Sequence, residues 1–257
     1  VADHQGDPRA ALATLETAAA GLRGTAVDVR CGCRVVAGYA PGRLLVRRGA
    51  DLAALEAGRV VWAGGALDTL GLFAGNDTPG ALGPRAVYRL LLRDRLPVAG
   101  CHALLVGGGL DLWLAAALLA ARGARITLVI GDGAPHAEIA AAVDRKWQLN
   151  TGLVLQELAR RGEGRLHGTF APGGDTTGPG ETHMGMETDL AVVCGRGKPT
   201  YDIPYQLGAD LVLDPARGGF IAPASAALPG GTAFAAVGEA AGLLPDEVLG
   251  AAPEVRR

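Results

Sequence analysis

The segment from residue 102 to residue 130 constrains the fold of this chain more than any other. An apolar run, His102 to Val106, leads into Gly107-Gly108-Gly109. Good helix formers follow from Leu110 to Arg122, and a second apolar run covers Arg125 to Ile130. This order predicts a strand, a tight turn, a helix and a parallel strand. Glycines at such a turn let the backbone approach a pyrophosphate, while the amides of the helix N-terminus point at the anion. The three glycines are therefore the candidate pyrophosphate-binding residues.

The turn departs from the dinucleotide-binding pattern G-x-G-x-x-G after its second glycine. The third glycine would fall at Leu112, whose bulk is expected to push the helix away from the strand. Asp132 follows the second strand and is the candidate ribose ligand, although it comes late in the sequence. Asp111 favours the helix dipole but would repel a nearby phosphate. These residues alone leave two readings equally open, a working nucleotide site and a retained structural turn.

Around this unit the pattern predicts strands separated by helices, which favours a mostly parallel α/β sheet. Arg85, Arg89, Arg93 and Asp94 lie opposite an apolar helical stripe and are expected to face solvent. The apolar run Arg59–Ala63 is expected to form a strand buried on both faces. The remaining predicted elements are helices at 10–22, 82–91, 135–148, 151–161 and 239–249, strands at 26–30, 33–37, 43–48, 190–194, 210–213 and 232–237, and a loop at 171–180.

Composition and motifs exclude several classes of function. The 24 lysines and arginines nearly balance the 26 aspartates and glutamates, so no nucleic-acid partner is expected. No apolar run reaches the roughly 18 residues needed to span a bilayer, so no membrane association is expected. The 4 cysteines are too few and too scattered for a disulfide framework, which favours the cytoplasm. Cys31-Gly32-Cys33 could be a redox or metal pair, but no second pair with zinc spacing accompanies it, so these cysteines are expected to be structural.

Catalytic and metal-binding residues are also not predicted. Neither Lys146 nor Lys198 follows a tyrosine by four residues, as the short-chain dehydrogenases require. The histidines show no ligand spacing, and there is no Gly-x-Ser-x-Gly elbow. Hydrolases and metalloenzymes therefore have no support in the sequence.

Six segments spread over nearly the whole chain form a more specific pattern together than any one of them does alone. They are Val60–Ala66, Phe73–Gly80, the unit that begins at His102, Pro199–Asp202, Asp214–Gly219 and Phe234–Gly242. This ordered set resembles the α-subunits of hetero-oligomeric, flavin-dependent amine and amino-acid oxidoreductases. Sarcosine oxidase, the dye-linked proline and hydroxyproline dehydrogenases, opine dehydrogenase and hydrogen cyanide synthase belong to that family.

The resemblance implies an α/β fold with two Rossmann-like dinucleotide-binding domains of the pyridine nucleotide-disulfide reductase type, the second inserted in a truncated first. Residues 1–97 and 189–257 would form the FAD-type domain, and residues 98–188 the NAD-type domain. Gly64, Gly65, Gly238 and Glu239 are the candidate residues of the remaining flavin site. The implied cofactors are FAD, NAD or both.

By the same resemblance, the chain is expected to be an accessory or α-type subunit of a flavin-dependent amine or amino-acid dehydrogenase or oxidase. It would pair with a flavin-containing catalytic subunit and contribute nucleotide binding or electron relay, without a catalytic base of its own. Departures from the family pattern favour an alternative, a non-catalytic scaffold with degenerate nucleotide sites. No strand-glycine-helix unit precedes Val60, Gly64 replaces a threonine, Glu239 replaces an aspartate, and Leu112 replaces a glycine.

Overall fold

The computed structural model describes residues 17, 20–22, 25–131, 140, 142–162, 164–173, 183–217 and 219–243. The predicted helices at 10–22 and 239–249 therefore lie mostly outside the described residues, as does most of the predicted loop at 171–180. The chain divides into two compact units. The first contains Val1–Leu12 and Asp68–Gly195, and the second contains Ala13–Leu67 and Arg196–Arg257. The predicted domain boundaries at 97/98 and 188/189, and the FAD or NAD type of each domain, stay predictions.

The described elements are numbered in chain order. The strands are β1 (Cys33–Tyr39), β2 (Arg43–Arg48), β3 (Asp51–Glu56), β4 (Arg59–Trp62), β5 (Ala66–Leu67), β6 (Ala81–Leu82), β7 (His102–Gly107), β8 (Arg125–Ile130), β9 (Gln148–Thr151), β10 (Leu153–Arg161), β11 (Arg165–Pro172), β12 (Met184–Thr188), β13 (Leu190–Cys194), β14 (Lys198–Pro199), β15 (Val212–Asp214), β16 (Gly219–Ile221), β17 (Ala226–Ala227) and β18 (Ala233–Ala236). The helices are α1 (Pro84–Tyr88), which continues as a π-helical turn over Arg89–Arg93, α2 (Gly109–Ala121) and α3 (Asp202–Gln206).

The first unit is built on a parallel sheet of five strands in the order β6-β13-β7-β8-β9. Its central strands are apolar and buried, as expected for a sheet that is covered on both faces. On one side, α2 buries Leu112, Trp113 and Leu119 against this sheet. The predicted parallel α/β sheet and the predicted strand-turn-helix-strand unit are both confirmed.

An antiparallel sheet of β10, β11 and β12 also belongs to this unit. The helix predicted at 151–161 is therefore wrong, because β10 occupies Leu153–Arg161. The cause is a register shift between Leu155 and Glu157, which places the buried Leu155 and Leu158 three residues apart. A β-bulge here thus mimics helical spacing. The predicted helix at 135–148 is also too long, since Gln148 begins β9.

The second unit contains an antiparallel sheet, β1-β2-β3, and a second sheet of the order β17-β18-β4 in which β4 and β18 are parallel. The prediction that β4 is buried on both faces is wrong. Val60 is buried at 6% exposure, whereas Val61 is 58% exposed. The strand predicted at 26–30 is wrong, because residue 26 forms a bend and residues 27–30 have no regular structure. Among the described helices, none is long and apolar enough to cross a membrane.

Candidate nucleotide-binding site

The glycine turn links the end of β7 to the start of α2. Gly107 pairs with Cys194 of β13 and has φ +126, a backbone conformation that favours glycine. A Cβ atom at Gly107 would overlap the Cys194 carbonyl oxygen. Gly107 is thus required by the close approach of two strand ends, whatever the site binds.

The next two glycines leave the N-terminus of α2 open. Gly108 is the extended N-cap residue, and no described side chain caps the helix. No described atom lies within 4 Å of a Cβ built on Gly108 or on Gly109, and Gly109 has φ +76. The first amides of a helix need partners from outside it, and an anion can satisfy them. The geometry therefore suits a phosphate group at this position.

Leu112 lies fully inside the core beneath this turn. Its exposure is 0%, and it packs in the same apolar cluster as Val87, Trp113 and Leu119. The cluster thus encloses a leucine where the dinucleotide-binding pattern has a glycine that lets helix and strand pack closely. Asp132, the predicted ribose ligand, lies outside the described residues.

Asp111 belongs to a group of polar side chains that sequence reasoning missed. The Tyr88 hydroxyl donates a hydrogen bond to Asp111 Oδ1 at 2.9 Å, and an Arg85 guanidinium nitrogen lies 3.6 Å from Asp111 Oδ2. The same nitrogen lies 2.8 Å from Asp68 Oδ1, and the Arg85 backbone N–H donates to Asp68 Oδ2 at 2.9 Å. The prediction that Arg85 faces solvent is therefore wrong, because its side chain is 30% exposed between two carboxylates.

Burial is the main influence on the pKa of the Tyr88 hydroxyl. It raises the pKa of the Tyr88 hydroxyl above its ordinary value of 10.0, and the neighbouring Asp111 carboxylate raises this pKa further. The positive charge of Arg85 lowers the pKa of Tyr88, but by less than burial and Asp111 raise it. The hydroxyl therefore stays protonated, as a hydrogen-bond donor to Asp111 must be.

Cys194 is expected to be chemically inert in the folded protein. Burial raises the pKa of its thiol, and the Asp111 and Asp68 carboxylates raise it further. The reactive thiolate is therefore not formed at about pH 8. We expect a disulfide reagent to modify the exposed Cys31 rapidly, and Cys194 only after denaturation. Peptide mapping after a timed reaction distinguishes the two, with Cys31→Ser as the control, and rapid labelling of native Cys194 would contradict the prediction.

In the second unit, the structure brings together residues predicted for the flavin site. Gly64 and Gly65 follow β4, while Gly238 and Glu239 begin a short 3-10 turn after β18. A Cβ built on Gly65 would lie 3.7 Å from the Glu239 Oε2 atom. The parallel pairing of β4 with β18 explains this proximity, because it places the carboxyl ends of both strands at one edge.

Thr200 completes this turn and was not among the predicted site residues. Its hydroxyl and its backbone N–H both donate to the Gly65 carbonyl oxygen, each at 3.0 Å. Its own carbonyl accepts a hydrogen bond from the Trp62 indole at 2.9 Å. A Cβ at Gly64 would overlap the Thr200 hydroxyl oxygen and lie 2.5 Å from the Trp62 ring. Thr200 thus occupies the space that a side chain at position 64 would need.

Neither a protein-family model nor any curated protein sequence matches this chain. Solved structures do match it. Thioredoxin reductase from T. acidophilum aligns with a TM-score of 0.63 and 16% identity, over 94% of this chain and 76% of that protein. An FAD-dependent pyridine nucleotide-disulphide oxidoreductase from Desulfovibrio vulgaris aligns with a TM-score of 0.56 and 18% identity, over 80% of this chain and 52% of that protein.

A third similar structure is the water-forming NADH oxidase from Lactobacillus brevis, bound to NADH. Its TM-score is 0.56 at 17% identity, over 81% of this chain and 46% of that protein. The chain thus spans about half the length of two of these three proteins. At such identities the likeness shows the fold alone. The predicted fold class is confirmed: this chain has the Rossmann-like α/β fold of the pyridine nucleotide-disulfide oxidoreductases.

Proposed function

We propose that this chain is a nucleotide-binding, α-type subunit of an FAD-dependent oxidoreductase that acts on amines or amino acids. The observation that carries the proposal is the N-terminus of α2, which no described side chain caps, and the space at Gly108 and Gly109, which no described atom fills. In this fold, such a turn is where a dinucleotide places its pyrophosphate. The choice of amines and amino acids rests on the six sequence segments that resemble the α-subunit family.

The residues at the turn fit a pyrophosphate. Because Gly109 has no side chain, a phosphate can come close to its backbone. The 13 residues of α2 give the helix a dipole whose positive end faces the turn. Asp111 is the one acidic residue in the first turn of α2, and its carboxylate is engaged by Tyr88 and Arg85. The NADH-bound state of one structural neighbour supports NAD as the ligand of this unit.

The residues of the second unit fit the polyol part of a flavin nucleotide. A carboxylate accepts hydrogen bonds from hydroxyl groups, and Glu239 places one beside the Gly65 turn. Thr200 holds that turn through two hydrogen bonds to the Gly65 carbonyl. The FAD dependence of a structural neighbour supports FAD as the ligand here.

In the proposed assembly, a partner subunit would hold the amine substrate and the flavin that supplies the oxidation chemistry. This chain would bind its nucleotide through the backbone amides at the start of α2. It would not remove the substrate proton, since no general base is assigned to it.

One observation favours a second candidate function, a scaffold subunit with degenerate nucleotide sites. Leu112 fills the core where close packing of helix and strand calls for glycine. In this function the glycine turn is kept only because Gly107 meets the Cys194 carbonyl.

Identification of any nucleotide that co-purifies with the native protein separates these two functions. The protein is denatured, and the released material is identified by absorbance and chromatography. Release of FAD or NAD supports the nucleotide-binding subunit. A nucleotide-free protein that also fails to bind added NADH, yet purifies with a flavoprotein partner, supports the scaffold.

A leucine at Gly109 is expected to weaken NADH binding at least about tenfold, because its side chain would occupy the space of the pyrophosphate. Gly100→Leu is a matched control. Gly100 has φ +78, close to the +76 of Gly109, and no described atom lies within 4 Å of its Cβ position either. Both variants thus carry similar backbone strain, but Gly100 lies before β7 rather than at the turn. Isothermal titration with NADH measures the difference, and equal affinities of the two variants would place the nucleotide elsewhere.

A further inference from the structure

A carboxylate stands in the first turn of the helix that is proposed to bind a pyrophosphate. Asp111 is two residues beyond Gly109, and its side chain is 18% exposed. An acidic residue there stabilises the helix dipole, but it also repels an anion bound at the same amides. The proposed function therefore requires that the charge of Asp111 be directed away from the ligand or offset.

Two side chains of α1 contact this carboxylate. Tyr88, at the end of α1, donates its hydroxyl proton to Asp111 Oδ1 at 2.9 Å. Arg85, one turn earlier in α1, brings its guanidinium to 3.6 Å from Asp111 Oδ2. These two contacts hold the carboxylate toward α1. The guanidinium also offsets the negative charge at short range, in surroundings where screening by water is reduced.

Asp68 fixes Arg85 in this position. It accepts from the guanidinium at 2.8 Å and from the Arg85 backbone N–H at 2.9 Å, and its side chain is only 16% exposed. Gly83, the N-cap of α1, makes room for it, since a Cβ there would overlap the Asp68 carboxylate. The guanidinium contact orients the Arg85 side chain, and the backbone contact ties the first turn of α1 to the same carboxylate.

We infer that Arg85 and Tyr88 are positioning residues that hold the Asp111 carboxylate away from the pyrophosphate of a dinucleotide bound at the glycine turn. This inference rests on the proposed nucleotide-binding function. It adds that tight binding of the dinucleotide requires the contacts of Arg85 and Tyr88 with Asp111. The turn tolerates an acidic residue in α2 only while the contacts from α1 are intact. Without them, the carboxylate rotates toward the amides and competes with the ligand.

The test measures NADH affinity in wild type, Arg85→Gln, Asp111→Asn and the double variant. Arg85→Gln is expected to bind NADH about tenfold more weakly, because an unbalanced carboxylate then lies close to the pyrophosphate. The double variant is expected to regain an affinity close to that of wild type, since the harmful charge is gone. Raising the salt concentration should narrow the gap between Arg85→Gln and wild type, because ions screen the repulsion. Tyr88→Phe is expected to act in the same direction with a smaller loss.

These readouts separate a charge effect from a folding effect. The hydrogen bond from the backbone N–H of residue 85 to Asp68 does not involve the side chain, so it is expected to persist in Arg85→Gln and to hold the first turn of α1. If Arg85 had a merely structural role, the double variant would bind NADH as weakly as Arg85→Gln does. The difference in affinity between Arg85→Gln and wild type would then not depend on salt. That result overturns the inference. Unchanged affinity of Arg85→Gln overturns it as well and leaves the proposed function standing. Absence of NADH binding by wild type instead overturns the proposed function, and the inference with it.

Discussion

Replacement of Gly107 by alanine is expected to destabilise the first unit by about 4 kcal/mol, which is a large part of the stability of an ordinary domain. Two effects combine. Gly107 has φ +126, which residues with a Cβ atom rarely adopt. The added Cβ would also overlap the carbonyl oxygen of Cys194 and lie 2.8 Å from its carbon. That obstacle is backbone of a buried strand, so it cannot rotate aside as a flexible side chain would.

Gly108→Ala is the matched control for this prediction. The neighbouring glycine has an extended backbone, with φ −168 and ψ −176, and no described atom lies within 4 Å of its Cβ position. We expect its unfolding free energy to stay within about 1 kcal/mol of wild type. Urea denaturation followed by circular dichroism measures both variants. Similar midpoints for the two would mean that β7 and β13 can separate at this point without loss of packing.

The strand-turn-helix-strand unit could be predicted from the sequence because every signal for it is local. The apolar strand, the glycines and the helix formers follow one another directly, and the structure places β7, α2 and β8 within a residue or so of the predicted ends. Local signals also misled the prediction at β10. There, a bulge between Leu155 and Glu157 gave a strand the apolar spacing of a helix.

The polar contacts around Asp111 could not be predicted because they are not local. Asp68 lies 17 residues before Arg85, and Tyr88 lies 23 residues before Asp111. No spacing rule joins such positions, so a charged helix face was expected to be solvated. The single available signal was the spacing of Arg85 and Tyr88, which places them on the same side of one helix.

The same reasoning applies to Thr200, which meets the Gly64-Gly65 turn from 135 residues away. In the resemblance to the α-subunit family, Gly64 stands where that family has a threonine, so a hydroxyl is expected to be missing here. The structure adds that a hydroxyl is still present at this turn, supplied by Thr200. The two positions are therefore expected to be coupled, so that neither can be changed alone without cost.

Introducing a threonine at position 64 is accordingly expected to destabilise the protein rather than complete the proposed flavin site. Gly64→Thr should destabilise the second unit by about 3 kcal/mol, because the new side chain meets both the Thr200 hydroxyl and the Trp62 ring. Thr200→Ala removes one of these obstacles. The double variant should then be more stable than the sum of the two single changes, by about 1 kcal/mol or more.

Gly58→Thr provides the control, since Gly58 precedes the same strand and no described atom lies within 4 Å of its Cβ position. Its unfolding free energy is expected to change by about 1 kcal/mol or less, which reflects only the change in backbone freedom. Thermal or urea unfolding of wild type, Gly64→Thr, Thr200→Ala and the double variant gives the coupling energy between positions 64 and 200 directly. If the changes in unfolding free energy of the two single variants simply add in the double variant, Thr200 moves aside when a threonine is present at position 64. In that case the Thr200 hydroxyl would not compensate for the hydroxyl that is absent at position 64. The scaffold function would then gain support over flavin binding.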